Sequence, residues 1–158
     1  MGERDDENTQ EKSRRQLMEL LQELRVALPG VQVLFGFLLV VPFSAQWGQV
    51  TAFQKNLYFA CLLCSAAATA FLIAPSAIHR LDFEQGDKPL IVQISNVLAI
   101  VGLTFLAIAI VGVVMLITDV LYNGAAVIAY TVVVAGVFIA LWYMIPLLLR
   151  LRGGRNAA

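Results

Sequence analysis

Residues 89–118 read PLIVQISNVLAIVGLTFLAIAIVGVVMLIT, thirty consecutive positions without an ionised side chain. A helix of that length rises about 45 Å, more than the ~30 Å hydrocarbon core of a bilayer. Residues 26–54, 56–79 and 120–149 are likewise uncharged, with histidine counted as neutral. Each stretch exceeds the roughly 20 apolar residues a spanning helix requires. At 59% hydrophobic and 14% charged residues, the chain departs from soluble domains, in which about a quarter of residues are charged. These features predict an all-α polytopic membrane protein. Four transmembrane helices near 31–45, 57–75, 97–118 and 125–149 fall in one membrane domain, residues 29–149. Gln93, Ser95 and Asn96 occupy the first turns of the third run, so that helix should begin in the interface and enter lipid near Val97.

The charges between the runs orient the chain. Lys and Arg are enriched in cytoplasmic segments. Arg4, Lys12, Arg14, Arg15 and Arg25 precede the first span, Arg80 and Lys88 lie in the second loop, and Arg150, Arg152 and Arg155 follow the fourth. That is ten of the 11 basic residues on one side, with only Lys55 on the other. Both termini are therefore expected in the cytoplasm. The first span is the shortest and is bracketed by Pro29, Gly30 and Pro42. If it did not cross, the ten-to-one bias would collapse to six against five, so it is read as a span kinked at Pro29.

Before it, residues 1–12 are polar and charged and are expected to be disordered. Ser13 reads as an N-cap with Gln16 at the capping-box position. Leu17, Leu20, Leu21, Leu24 and Leu28 then form one helical face opposed by Arg15, Glu19, Gln22 and Glu23. This predicts an amphipathic interfacial helix over 13–28 on the cytoplasmic surface, serving as an anchor or as a docking element for a cytoplasmic partner. Glu19 and Glu23 offset Arg14 and Arg15, which argues against binding to anionic lipid alone. No apolar h-region is present in the first 25 residues, so no cleaved signal peptide is expected. Residues 150–158 form a basic cytoplasmic tail.

Small residues crowd the second span from Ala60 to Ala70, and Ala125, Ala129, Gly136 and Ala140 line one face of the fourth. Small groups let membrane helices approach closely, so both faces are expected to pack inside the bundle. A tight turn is expected at Tyr122, Asn123 and Gly124. Trp47, Tyr58, Tyr122, Trp142 and Tyr143 suit interfacial anchoring.

Few residues suggest chemistry. Cys61 and Cys64 form a C-x-x-C in the second span; a thiol pair exchanging electrons with a quinone is one reading and small packing residues the other. His79, Arg80, Asp82, Glu84, Asp87 and Lys88 make the second loop a dense polar cluster, suited to capping or partner contact, with metal binding or proton relay a weaker reading of a lone histidine. Asp119 closes the third span and is a conceivable ion site, although coupled transport usually needs an acid near mid-membrane. Gln32, Thr69, Asn96, Thr104, Tyr130 and Thr131 could line a polar path or bond locally. No phosphate loop, nucleophile elbow, zinc-protease motif or nucleic-acid module is present. No enzyme activity, metal site, cofactor or nucleic-acid partner is expected.

Residues 23–37, ELRVALPGVQVLFGF, with Val41-Pro42-Phe43 and the segment from Pro75 to His79-Arg80, resemble a family of uncharacterised actinobacterial four-helix membrane proteins of unknown function. The resemblance covers nearly all the chain beyond the N-terminal tail. It implies a shared topology and an actinobacterial plasma-membrane origin, and some family members carry a sodium/proton antiporter label. Its motif positions direct attention to Glu23, Arg25, Pro29, Gly30, Gln32, His79 and Arg80. With Glu19, Asp82 and Glu84 these are expected to meet at the cytoplasmic face, Glu19 or Glu23 pairing with Arg80, or Arg25 with Asp82 or Glu84. The functional expectation is an accessory or structural membrane protein acting through partners or as a homo-oligomer. A small oligomeric ion or proton transporter is the alternative, and a thiol or quinone redox protein the third reading.

Overall fold

The computed structural model describes residues 2–45, 47–81, 88–122, 124–145 and 147–149. Among these, side chains are described except at residues 2–10, 13, 81, 88 and 89. Four helices, α1 (Gly2–Val40), α2 (Ala52–Leu81), α3 (Lys88–Leu121) and α4 (Ala125–Ile139), account for most of the chain, and no strand occurs among the described residues. Segments Arg14–Phe43, Ala52–Arg80, Leu90–Leu121 and Ala125–Leu149 are long and apolar enough to cross a membrane.

The helix boundaries differ from expectation in instructive places. α1 is one unbroken helix from Gly2, so neither a boundary at Ser13 nor a break at Pro29 divides tail, surface helix and span. Residues 3–12 contain several Glu, Gln, Lys and Arg, which cost little in a helix. Acids near a helix N-terminus also complement its dipole. Pro29 lies inside α1 without ending it. Pro42, at the start of the 3₁₀ turn Val41–Phe43, does end α1. Its ring removes an N–H and restricts the preceding residue. The α-helix therefore stops at Val40, and the apolar segment ends with the 3₁₀ turn at Phe43 rather than at residue 45. α2 continues through Pro75 to Leu81, past its expected end at residue 75. Pro75 is fully buried, and packing holds the helix across it.

Contacts divide the chain into two compact units, Met1–Gln49 with Leu62–Leu106, and Val50–Cys61 with Ala107–Ala158. In the first unit, Leu17, Leu24, Val31 and Leu38 form the buried stripe of α1, with Val31 0% exposed. Leu24 and Val31 join Ala68 and Leu72 of α2 and Ala99 of α3 in one apolar cluster, flanked by Leu20, Leu28, Leu103, Phe105 and Leu106. The leucine face read as a membrane-surface or partner-docking face is thus covered by the chain's own α2 and α3. Gly102 lets α2 and α3 approach. A Cβ there would sit 2.8 Å from Leu72 Cγ. Phe71 and Phe105 stack alongside, ring centroids 5.6 Å apart.

In the second unit, Gly112 serves the same purpose against α2, since a Cβ at 112 would fall 2.5 Å from Cys61 Sγ. α4 begins after Gly124, whose φ of +68° lies where a side chain is strained. The helix keeps α geometry to Ile139 and widens to a π-turn over Ala140–Met144. The sequence places a proline at 146, which has no N–H for the carbonyl four residues earlier. Val127 is the buried residue of α4. Of the small-residue face of the fourth span expected to pack inward, Ala125, Ala129 and Gly136 are exposed and only Ala140 is half-buried. At about 100° per residue these positions lie opposite Val127, Thr131 and Val134, the side that is buried or half-buried.

Candidate functional site

Two polar cavities lie on opposite flanks of α1 in the first unit. Residues 23 and 25 are two positions apart, hence about 200° around a helix. Glu23 faces one flank and Arg25 the other. The basic cavity is an open groove of about 410 Å³ lined by Leu21, Arg25, Leu28, Pro29 and Gln32 of α1 and Ser76, His79 and Arg80 of α2, with Arg25, Gln32 and Arg80 exposed. The α1 contributors recur at helical spacing, and Ser76, His79 and Arg80 share one face of the last turns of α2. His79 and Arg80 sit where positive charge complements the partial negative charge of a helix C-terminus. Pro29 has no N–H, so the carbonyl of Arg25 is left without its intrahelical donor.

The second cavity encloses about 390 Å³. Gln16, Glu19, Leu20 and Glu23 of α1 face Val92, Gln93 and Asn96 of α3 across it. The expected cytoplasmic cluster is therefore two sites. Arg25, Gln32, His79 and Arg80 come together, whereas Glu19 and Glu23 line a different cavity from Arg80. Asp82 and Glu84, the suggested partners of Arg25, lie outside the described residues. Ser76 was not singled out by sequence. Its signal was available, three residues before His79 in the same helix.

A separate polar knot lies in the second unit. Thr51 and Gln54 form a capping box at the start of α2, with the Thr51 N–H donating to Gln54 Oε1 at 2.9 Å and the Gln54 N–H to Thr51 Oγ1 at 3.2 Å. Gln54 Nε2 also donates to Asp119 Oδ2 at 2.9 Å. Asp119 thus sits beside the N-terminus of α2, where a carboxylate is favoured. The sequence signal for this cap is the T-x-x-Q pattern at Thr51 and Gln54 before an apolar run.

The other suggested polar groups bond locally. Thr69 donates to the Ser65 carbonyl at 2.9 Å, Thr104 to Ile100 at 2.8 Å and Thr131 to Val127 at 2.8 Å. Tyr130 lies against Tyr122, centroids 5.7 Å apart. Tyr58 is only 5% exposed, a packed residue rather than an interfacial anchor. Cys61 is buried and Cys64 half-buried, and neither is in a disulfide. Among the described residues no group of three His, Cys, Asp or Glu side chains is placed to hold a metal. Ser95 is fully buried, and its Oγ has no hydrogen-bond partner.

Four apolar helices of spanning length, with polar cavities beside the ends of their uncharged runs, define a polytopic all-α membrane protein. Residues 6–146 match the family of unknown function DUF6328, and the chain belongs to it. No curated protein and no solved structure matches.

Proposed function

We propose that this protein is an accessory or structural component of the plasma membrane, not an enzyme, with both termini cytoplasmic, and that it acts by lateral association, first with a second copy of itself. One observation carries the reading. Ala125, Ala129 and Gly136, three of the four small residues on one face of the fourth span, are exposed, and a Cβ at Gly136 would meet nothing within 4 Å. Two other helical glycines mark helix contact within the chain, Gly102 against Leu72 and Gly112 against Cys61, whereas Gly30 and Gly36 of α1 are open. In lipid, where apolar burial gives no drive between helices, such surfaces favour association by close backbone approach. The uncharged runs and locally bonded threonines support this reading over ion-coupled transport.

Single-molecule photobleaching in native membranes tests it. Wild type should bleach in more than one step per spot, and Gly136→Leu should shift spots to single steps while leaving thermal stability unchanged. Single steps in wild type, or no effect of Gly136→Leu, would overturn self-association. Co-purification of a defined protein with a monomeric wild type would transfer the role to a different partner. Gradient-driven sodium or proton flux in proteoliposomes, lost in Asp119→Asn, would replace the accessory role by transport. Reporter fusions at residue 158 and in the Tyr122–Gly124 turn check the orientation, the first expected inside and the second outside.

A further inference from the structure

We propose that the cavity between α1 and the last turns of α2 binds a phosphate group, and that its apolar lining selects the phosphate of an anionic lipid over the free ion. Arg25 and Arg80 both line this cavity, with His79, the Gln32 amide and the Ser76 hydroxyl as further donors. The two guanidiniums stay charged at any physiological pH. Among the described residues no carboxylate lines the same space. Two like charges around one cavity repel unless an anion lies between them, and arginine meets phosphate oxygens with paired, charge-assisted hydrogen bonds.

Taken by composition alone, the mixed charge of residues 13–28 weighs against anionic lipid. Position around α1 removes that objection, because Glu19 and Glu23 face α3 across the other cavity. The last carbonyls of α2 contribute a partial negative charge of about half a unit, which two full positive charges outweigh.

Depth selects the source of the phosphate. Arg25 immediately precedes the uncharged run 26–54, and Arg80 immediately follows 56–79. The cavity therefore lies at the edge of the apolar slab, the depth of lipid headgroups. Leu21 and Leu28 supply apolar wall beside the donors, suited to glycerol and the first acyl carbons and of no use to a free ion. At about 410 Å³ the space falls within the range of small-molecule sites. Basic pockets between membrane helices are suited to such headgroups. The proposal is independent of self-association through α4.

Thermal unfolding of the delipidated full chain in mild detergent tests it, at constant ionic strength, with three probes: short-chain phosphatidylglycerol, short-chain phosphatidylcholine and inorganic phosphate. Phosphatidylglycerol should raise Tm saturably, phosphatidylcholine, whose phosphate carries its own cation, should not, and inorganic phosphate should act only at far higher concentration. Arg25→Gln and Arg80→Gln should each weaken the apparent affinity about tenfold or more, whereas Glu19→Gln on the opposite flank should leave it unchanged. If a Gln variant does not fold, Arg25→Lys and Arg80→Lys should retain charge and show a smaller loss. Equal potency of inorganic phosphate would overturn the lipid as source. No response to either anion, as expected if the acidic residues after Arg80 neutralise the arginines, would overturn the site. An unchanged phosphatidylglycerol response in the double Gln variant would do the same.

Discussion

Gly102→Ala is the sharpest test of the packing between α2 and α3. The new methyl carbon would lie 2.8 Å from Leu72 Cγ, 2.9 Å from Cδ2 and 3.2 Å from the Leu72 backbone nitrogen. Favourable contacts between carbons begin near 3.5 Å, so either the helices separate locally or Leu72 leaves its rotamer. Leu72 is 0% exposed within the cluster of Leu24, Val31, Ala68 and Ala99, which leaves little room to yield. Overpacking of this kind costs about 1–3 kcal/mol. Glycine to alanine inside a helix also gains about 1 kcal/mol of intrinsic preference, so a suitable control is needed. Gly36 supplies it: it lies inside α1, and a Cβ there would meet nothing within 4 Å. Gly102→Ala should therefore be less stable than Gly36→Ala by about 1–3 kcal/mol. Reversible unfolding of the full chain in mixed micelles, titrated with a denaturing detergent, measures the difference. Adding Leu72→Ala to each background closes a double-mutant cycle with an expected coupling of about 0.5–3 kcal/mol. Equal stabilities of the two glycine variants, or a coupling near zero, would refute the close approach.

Three further expectations follow from the local geometry. Gln54→Ala should lose about 1–3 kcal/mol, combining the cap with a hydrogen bond to a carboxylate, and in a cycle with Asp119→Asn the effects should be less than additive; full additivity in mixed-micelle unfolding would contradict the shared contact. Cys64 should react with a membrane-permeant maleimide faster than Cys61, which is buried against Gly112; mass spectrometry of Cys61→Ser and Cys64→Ser reads the two rates, and equal rates would count against that packing. Ser95→Ala should be neutral or stabilising by up to about 1 kcal/mol, because it removes a buried hydroxyl without a partner; a loss of more than 1 kcal/mol on detergent unfolding would mean that the hydroxyl is satisfied.

The apolar runs were legible because spanning a bilayer demands length and freedom from charge, both plain properties of sequence. The leucine face of α1 was legible as a face, but its occupant was not: helix periodicity says which residues are buried together, not against what. The pair Glu23 and Arg25 illustrates the same limit. Their opposed directions follow from 100° per residue, yet only packing shows that one faces α3 and the other α2. The small residues of α4, like those of α2, suit close helix approach, but composition cannot separate a face that packs within the chain from one left open in lipid. The second span was expected to end near residue 75, whereas α2 runs on through the buried Pro75 to Leu81.

Leu17, Leu24, Val31 and Leu38 recur every seven residues, and seven residues fall only about 20° short of two full turns. Across these three repeats the buried line drifts by about 60°, little enough for one straight helix to keep it against its neighbours. α1 is therefore a phased element. Adding or removing seven residues would return each charged flank to nearly the same neighbour, whereas a single insertion would turn everything upstream by about 100° and scramble the sorting of acids toward α3 and bases toward α2. The polarity of the two cavities is thus held by rotational phase, and a length change that leaves composition untouched could erase it.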